Sequence, residues 1–165
     1  LALGGNIGDP AANLRQGLQL LARDVEVVAV SALYETKPVG VVDQPNFLNA
    51  ACMGRTKLAP LDLLERAKTI ERESGRRPGL RWGPRPLDID ILLYDDAIVD
   101  TPALRIPHER LAERAFVLRP LADLNASLSI PGVGATVAQL LERVGTAGVE
   151  RIAEPGWQRS GREQL

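Results

Sequence analysis

The stretch Arg76-Arg77-Pro78-Gly79-Leu80-Arg81-Trp82-Gly83-Pro84-Arg85-Pro86-Leu87-Asp88-Ile89-Asp90-Ile91-Leu92-Leu93-Tyr94 organises the reading of the whole chain. Its first half is a Pro/Gly-rich loop carrying four arginines. Its second half, Asp88 to Tyr94, is predicted to be a largely buried strand, because Leu87, Ile89, Ile91, Leu92 and Leu93 frame the two aspartates. Residues i and i+2 of a strand share a face and lie roughly 6.5–7 Å apart. Two carboxylates so placed can converge on one hard cation or bracket a pair, and acids in an apolar strand need a partner. The preceding guanidinium groups are forked, permanently charged donors suited to phosphate. Carboxylate-held metal plus loop arginines is the minimum set for phosphoryl transfer from a nucleoside triphosphate. Aspartates at a strand end also cap loops, and arginines there also pair with them; a bare Asp-x-Asp favours that reading. What shifts the balance is the order: Arg81-Trp82-Gly83-Pro84-Arg85, then Asp88-Ile89-Asp90, then the chain's one histidine, His108.

Upstream, Leu63, Leu64, Ala67 and Ile70 repeat at helical spacing behind Leu58-Ala59-Pro60, and Gly75 closes that helix. The β-branched run Val25–Tyr34 and the segment Phe47–Thr56 are predicted to pair as strands across a long loop, Glu35–Asn46. Asp9 then Pro10 caps a first helix whose stripe is Leu14, Leu18 and Leu21. Leu1-Ala2-Leu3 before Gly4-Gly5-Asn6 has the look of a strand entered part-way, with a few residues missing ahead of it. Downstream, Asp95-Asp96 marks a turn and Ile98-Val99-Asp100 a short return strand. Glu109–Leu124, interrupted at Pro120, and Thr136–Val144 are predicted helical pieces. Residues 145–165 are expected to be a C-terminal extension, frayed in part. Strand, helix, strand, strand, helix, strand is the order of the split βαβ plan. The expected fold class is therefore α+β, a ferredoxin-like sandwich of an antiparallel sheet with helices on its faces. No repeat or linker divides the chain, so residues 1–165 are read as one domain. Such a plan hosts many functions and names none.

Composition narrows the field. At 165 residues the chain can bury about two-thirds of its unfolded surface. A net charge of −1 with 4% aromatic residues lacks the footprint of a general nucleic-acid binder. No apolar run reaches the length of a membrane span. Local clustering of Arg72, Arg76, Arg77, Arg81 and Arg85 points instead to a small anionic ligand. The single cysteine, Cys52, lies in an apolar run and is read as a core residue. One cysteine makes neither an internal disulfide nor a thiolate zinc site, and the default location is a reducing cytoplasm. Gly-x-x-x-x-Gly-Lys-Ser/Thr is absent, which excludes a P-loop kinase.

Gly4-Gly5-Asn6, Asp43-Gln44-Pro45-Asn46-Phe47-Leu48-Asn49, Arg81-Trp82-Gly83-Pro84-Arg85, Leu87-Asp88-Ile89-Asp90 and Ile106-Pro107-His108 together resemble the 6-hydroxymethyl-7,8-dihydropterin pyrophosphokinase family. The likeness runs from residue 1 to roughly residue 144, and its specific part is the arginine–tryptophan block followed by the aspartates. It implies transfer of diphosphate from ATP to a pterin alcohol in folate biosynthesis, leaving AMP. It further implies that Asp88 and Asp90 hold two magnesium ions against the ATP phosphates, and that Arg76 and Arg85 stabilise the transition state. Arg77 and Arg81 match phosphate contacts, while Glu71, His108 and Arg114 match positions on the nucleotide side. For the pterin, Asn49 would read the ring edge, Phe47 and Phe116 would sandwich the ring, and Trp82 would close over it. Thr36, Val39 and Gly40 match the segment lining that slot. Taken alone, Phe47 and Phe116 are ordinary core residues; only the resemblance makes them platforms. The loops at 35–46 and 76–86 are expected to close over ligands. The implied partners are the two small substrates, with no nucleic acid or membrane, and the chain is expected to be a monomer with scope to associate with other folate-pathway enzymes.

Some positions depart from the family pattern. Phe47 stands where tyrosine is frequent, Lys37 for proline, Lys68 for glutamine and Arg119 for tryptophan, and the loop at Arg77-Pro78-Gly79-Leu80 is one residue short. Two other readings stand beside the leading one: a metal-dependent transferase acting on another heterocycle, and a ferredoxin-like nucleotide/pterin-binding module without catalysis. Intact Asp88, Asp90, Arg85 and Asn49 argue against the module, since a degenerate relative should lose metal and ring contacts first.

Overall fold

Strand β4, Phe47–Arg55, is the hub of the sheet in the computed structural model, which describes residues 1–79 and 83–159. Strand β1, Ala2–Gly5, lies antiparallel between β4 and strand β5, Asp88–Asp90. On its other side β4 pairs antiparallel with two short strands, β2 at Glu26–Val30 and β3 at Leu33–Thr36. The single strand expected over Val25–Tyr34 is thus broken at Ser31 and Ala32. Ser31, wholly buried, exchanges main-chain and side-chain bonds with Ala51: its N–H donates to the Ala51 carbonyl at 2.8 Å and its Oγ accepts the Ala51 N–H at 2.9 Å. The same hydroxyl donates to the Ala32 carbonyl at 2.7 Å, so a side chain replaces a ladder partner where the strand bends. With β2 and β3 counted as halves of one strand, the order fourth, first, third, second is that of the split βαβ plan.

Helices cover both faces. Helix α1, Pro10–Leu21, capped by Asp9, and helix α2, Pro60–Glu73, pack on one side over Leu3, Ala50, Cys52 and Ile89. Cys52 is a core residue, as expected. Helix α3, Ala115–Asn125, and helix α4, Val137–Val144, capped by Thr136, enclose a second core with Leu92. Pro120 does not interrupt α3, because its ring is buried against the core and its helix gives up only one N–H. Asp123 of α3 accepts the Tyr34 hydroxyl at 2.6 Å and the Ala32 N–H at 3.2 Å, which ties the helix to the sheet. Arg119 turns to that carboxylate at 3.0 Å and lies over the Tyr34 ring, so its departure from the family pattern is spent on the fold. No helix among the described residues is long and apolar enough to cross a membrane.

Downstream of the aspartates the structure adds detail to the expected elements. Asp88, Ile89 and Asp90 pair with Gly4, Leu3 and Ala2 of β1. The return strand does not come back to β5. Strand β6, Val99–Asp100, pairs with β7, Arg105–Ile106, in a separate hairpin, and the His108 N–H donates to the Leu92 carbonyl at 2.9 Å. Within the expected extension, Val149–Ala153 forms strand β8 on the edge of β3, after Gly145 and Gly148 turn the chain with positive φ of +82° and +77°. Trp157 then enters the first core, 6% exposed, with its indole N–H donating to the Ser31 carbonyl at 2.9 Å. The extension is thus packed on the sheet and core up to Arg159, and residues 160–165 lie outside the described part.

Truncating that indole tests whether this segment belongs to the cooperative fold. Trp157→Ala should lower unfolding free energy by about 3–5 kcal/mol, seen as a reduced urea midpoint, whereas a tail merely resting on the surface would leave the midpoint unchanged.

Candidate active site

Sheet register assembles the site. Gly4 of β1 stands opposite Asp88 on one side and Asn49 on the other, while Ala2 stands opposite Asp90 and Ala51. Directly opposed residues share a face, so both aspartates point to the side that carries Asn49 and, one pair further along, Thr36 and Phe47. Asp88 and Asn49 are two strand spacings apart, on the order of 10 Å. Gly4 between them leaves the floor open, since a Cβ there would come within 3.0 Å of Asn49 Oδ1. Ile89 faces the opposite way, into the first core.

Above this floor lies a cavity of about 530 Å³, lined by Phe47, Asn49, Thr36 and Val39 on the carboxamide side, by Arg85, Asp88, Asp90 and Arg114 on the acidic side, and by Phe116. Asn49 is 8% exposed and donates to Thr36 Oγ1 at 2.8 Å, which orients its carboxamide. The Arg114 guanidinium sits 5.5 Å from the Phe116 ring centre. Gly40, with φ +85°, turns the loop beyond the cavity wall, and Val39 is largely exposed. Arg81 and Trp82 lie outside the described residues.

Two further recesses meet the first at its acidic end. Asp90 also borders a hollow of about 400 Å³ with Lys68, His108 and the β6–β7 hairpin. A groove of about 510 Å³ holds Lys68, Arg72, Arg76, Arg77 and Arg85 around Glu71. Arg85 is common to cavity and groove, and Lys68 to groove and hollow, so the three surround the aspartates.

The acids and arginines are tightly coupled. Arg76 bridges Asp88 and Glu71, the latter at 2.9 Å, and Arg85 reaches the other Asp88 oxygen at 3.2 Å. Glu71, 5% exposed, also accepts the Ile89 N–H at 2.8 Å and so seals the outer edge of β5. Its two oxygens are thus engaged by the protein: it holds β5 and Arg76 in place. Burial, then the adjacent Asp88 charge, raises its carboxyl above the usual range despite the Ile89 N–H. Burial pulls Arg76 down, but the Asp88 and Glu71 carboxylates outweigh it and hold the guanidinium above its ordinary value. Asp90 bears the net strain: burial first, then Asp88 and Glu71, push it up to about 7 against the pull of Arg114 and Arg76. Arg114 is itself lowered by burial and by Arg110. His108 Nδ1 accepts the Arg110 N–H at 3.2 Å, leaving Nε2 as the protonated nitrogen of the neutral ring, and burial with the Arg114 charge favours that neutral form.

Some residues of the site carried no usable signal in the sequence. Arg110 lines the cavity from a short turn and pairs with Glu113 at 2.6 Å. Asn6 stood in a glycine-flanked motif but as no more than part of a signature; its carboxamide bridges two loops of the site.

Comparison with known proteins identifies the family. The family described as 7,8-dihydro-6-hydroxymethylpterin-pyrophosphokinase (HPPK) matches residues 1–126. The chain is 44% identical over 154 residues to the 2-amino-4-hydroxy-6-hydroxymethyldihydropteridine pyrophosphokinase of Pseudomonas aeruginosa, covering 92% of this chain and 94% of that protein. It is 56% identical over 128 residues to a mitochondrial folate synthesis bifunctional protein of Arabidopsis thaliana, covering 77% of this chain but only 23% of that protein. Among solved structures, Plasmodium falciparum HPPK-DHPS superposes with a TM-score of 0.71 at 16% identity, over 92% of this chain and 46% of the other, a likeness of fold. The chain therefore belongs to the 7,8-dihydro-6-hydroxymethylpterin-pyrophosphokinase family.

Proposed function

We propose that this chain transfers the diphosphate of ATP to the hydroxymethyl group of 6-hydroxymethyl-7,8-dihydropterin, forming the pterin diphosphate and AMP in folate biosynthesis. The observation that carries this reading is one cavity lined by two aromatic rings and a carboxamide and, across a glycine floor, by two carboxylates with arginines. Two small substrates held on that floor would meet near the aspartates.

The pterin lies between Phe47 and Phe116, a stack favoured when rings are offset. Asn49 can donate to and accept from the ring edge, and its bond to Thr36 sets which way it points. Loop residues Val39 and Gly40 would complete the slot, and the family resemblance implies that Trp82 closes over it. The triphosphate lies along the groove of Arg76, Arg77 and Arg85, with Arg81 on the same loop, and the nucleoside end occupies the hollow beside His108. His108 there serves as a neutral Nε2–H donor to the nucleotide.

Asp88 and Asp90 fit magnesium. Among the described residues no group of three or more His, Cys, Asp or Glu side chains is placed to hold a metal, so the protein supplies two carboxylates and substrate phosphates and water supply the rest, the usual habit of this ion. The raised Asp90 carboxyl marks a negative site short of compensating charge, which a divalent cation relieves. When bound, two such ions would neutralise the triphosphate and acidify the attacking hydroxyl. Attack at the β-phosphorus forms the new oxygen–phosphorus bond as the bridge to the α-phosphorus breaks, and AMP leaves with the bridging oxygen. Arg85, already 3.2 Å from Asp88, and Arg76 stand where charge develops on the transferring group. Arg76 must exchange part of its carboxylate contact for phosphate, so its stabilisation is greatest after the nucleotide has entered.

A turnover assay with the pterin, ATP and magnesium should yield AMP only when the pterin is present; ADP, or AMP independent of pterin, would overturn this reading. Asn49→Ala should raise the pterin KM about tenfold and leave the ATP KM within about twofold, as expected for one lost ring-edge hydrogen bond.

Asp90 gives two further outcomes. Asp90→Asn should lower turnover by about 10²–10³-fold. Because the folded-state value is raised, the folded chain keeps a proton that the unfolded chain loses. The stabilising contribution is complete below about pH 4 and is lost as pH climbs to about 7. Urea unfolding of the ligand-free protein should therefore weaken across that window, less steeply in Asp90→Asn; equal slopes would refute the buried-acid assignment.

A further inference from the structure

The expected site residues end at Phe116, yet the cavity takes part of its lining from much further along the chain. Val144, the last residue of α4, and Ala147, in the turn that follows, both border it. Local geometry brings them there. Gly145 closes α4, its N–H donating to the Leu141 carbonyl at 2.7 Å, and the Val149 N–H donates back to the Thr146 carbonyl at 3.1 Å. Beyond the turn β8 runs antiparallel to β3, with Val149 opposite Thr36. Residues ahead of Val149 therefore come alongside those that follow Thr36, and Lys37 and Ala147 line the same cavity.

Two features make this turn a ligand-facing wall. The first is apolar surface that the fold leaves uncovered. Val144 is 39% exposed and Val39 is 59% exposed, and both line this one cavity. Apolar side chains gathered on a concave surface gain when a ligand covers them, by an amount that follows the area removed from water. The second is the link to the carboxamide. Thr36 Oγ1 accepts the Asn49 amide hydrogen at 2.8 Å, and the main chain of Thr36 is paired with β8. The turn and the group proposed to read the ring edge thus hang on one strand pair, so their spacing is fixed by the sheet.

We propose that the turn between α4 and β8 is a side of the pterin slot, with Val144 and Ala147 as binding residues that cover the rim of the ring and limit how wide a ring the slot admits. This rests on the pyrophosphokinase reading and adds to it a part of the site supplied by the C-terminal segment.

Two variants test it. Val144→Ala trims two methyl groups at a helix position that alanine suits, and Ala147→Trp adds bulk at an exposed turn residue. The dissociation constant of 6-hydroxymethyl-7,8-dihydropterin is measured by its fluorescence with α,β-methylene-ATP and magnesium at saturation. The constant of the nucleotide analogue is measured separately by calorimetry. Val144→Ala should weaken pterin binding about threefold and Ala147→Trp about tenfold or more, with the analogue held within about twofold in each. A turn that merely supports the fold would lower the melting temperature and leave both constants alone, or weaken both ligands alike. Either result overturns the proposal, as does unchanged pterin binding in Ala147→Trp. An unaltered chain that binds the analogue but no pterin would instead strike the functional reading beneath it.

Discussion

The antiparallel pairing of β1 between β5 and β4 is the constraint on which the rest depends. It sets Gly4 opposite both Asp88 and Asn49, and with that one register it puts acid, floor and carboxamide on a single face. A shift of one residue would turn Asp88 and Asp90 into the first core and bring Ile89 to the cavity. That register is guarded from both sides. Leu3 and Ile89 are buried together beneath α1 and α2, and Glu71 closes the outer edge of β5 on the Ile89 N–H. The hydrophobic core therefore fixes the direction of the polar groups, although it touches none of the proposed ligands.

Electrostatics then exploits what packing has arranged. Three carboxylates, Glu71, Asp88 and Asp90, are crowded at the edge of a sheet, and Arg76 and Arg85 compensate them only in part. Asp90 records the shortfall in its raised proton affinity. A site of this kind is costly when empty and favourable to a divalent cation or a cation-bearing polyphosphate, because the added charge relieves repulsion already present. Glu71, expected on the nucleotide side, also has a part within the protein. With both oxygens held inside the protein it serves as a brace, keeping a strand edge and an arginine where the other acids can use them.

The C-terminal segment shows what composition leaves open. Residues beyond Gly145 are rich in glycine and charge, features of a loose tail. Yet β8 needs only alternating contacts and a free edge, which β3 supplies, and Trp157 needs only a gap beside Ser31. Both partners lie more than a hundred residues upstream. The strand break at Ser31 is of the same kind: a run of β-branched residues has no local mark where a hydroxyl will take over from a ladder bond.

Local signals were enough for the first helix and its cap at Asp9, for the strand alternation that pairs Asp88 with Asp90, and for the family that the chain belongs to. Those features depend on neighbours a few residues apart, and periodicity carries them. That β6 would pair with β7, that Arg119 would turn to Asp123, and that Asn6 would join two loops were decided by tertiary structure. Each of these hangs on a hydrogen bond or register between segments remote in sequence, where the partner is known only once the chain has folded.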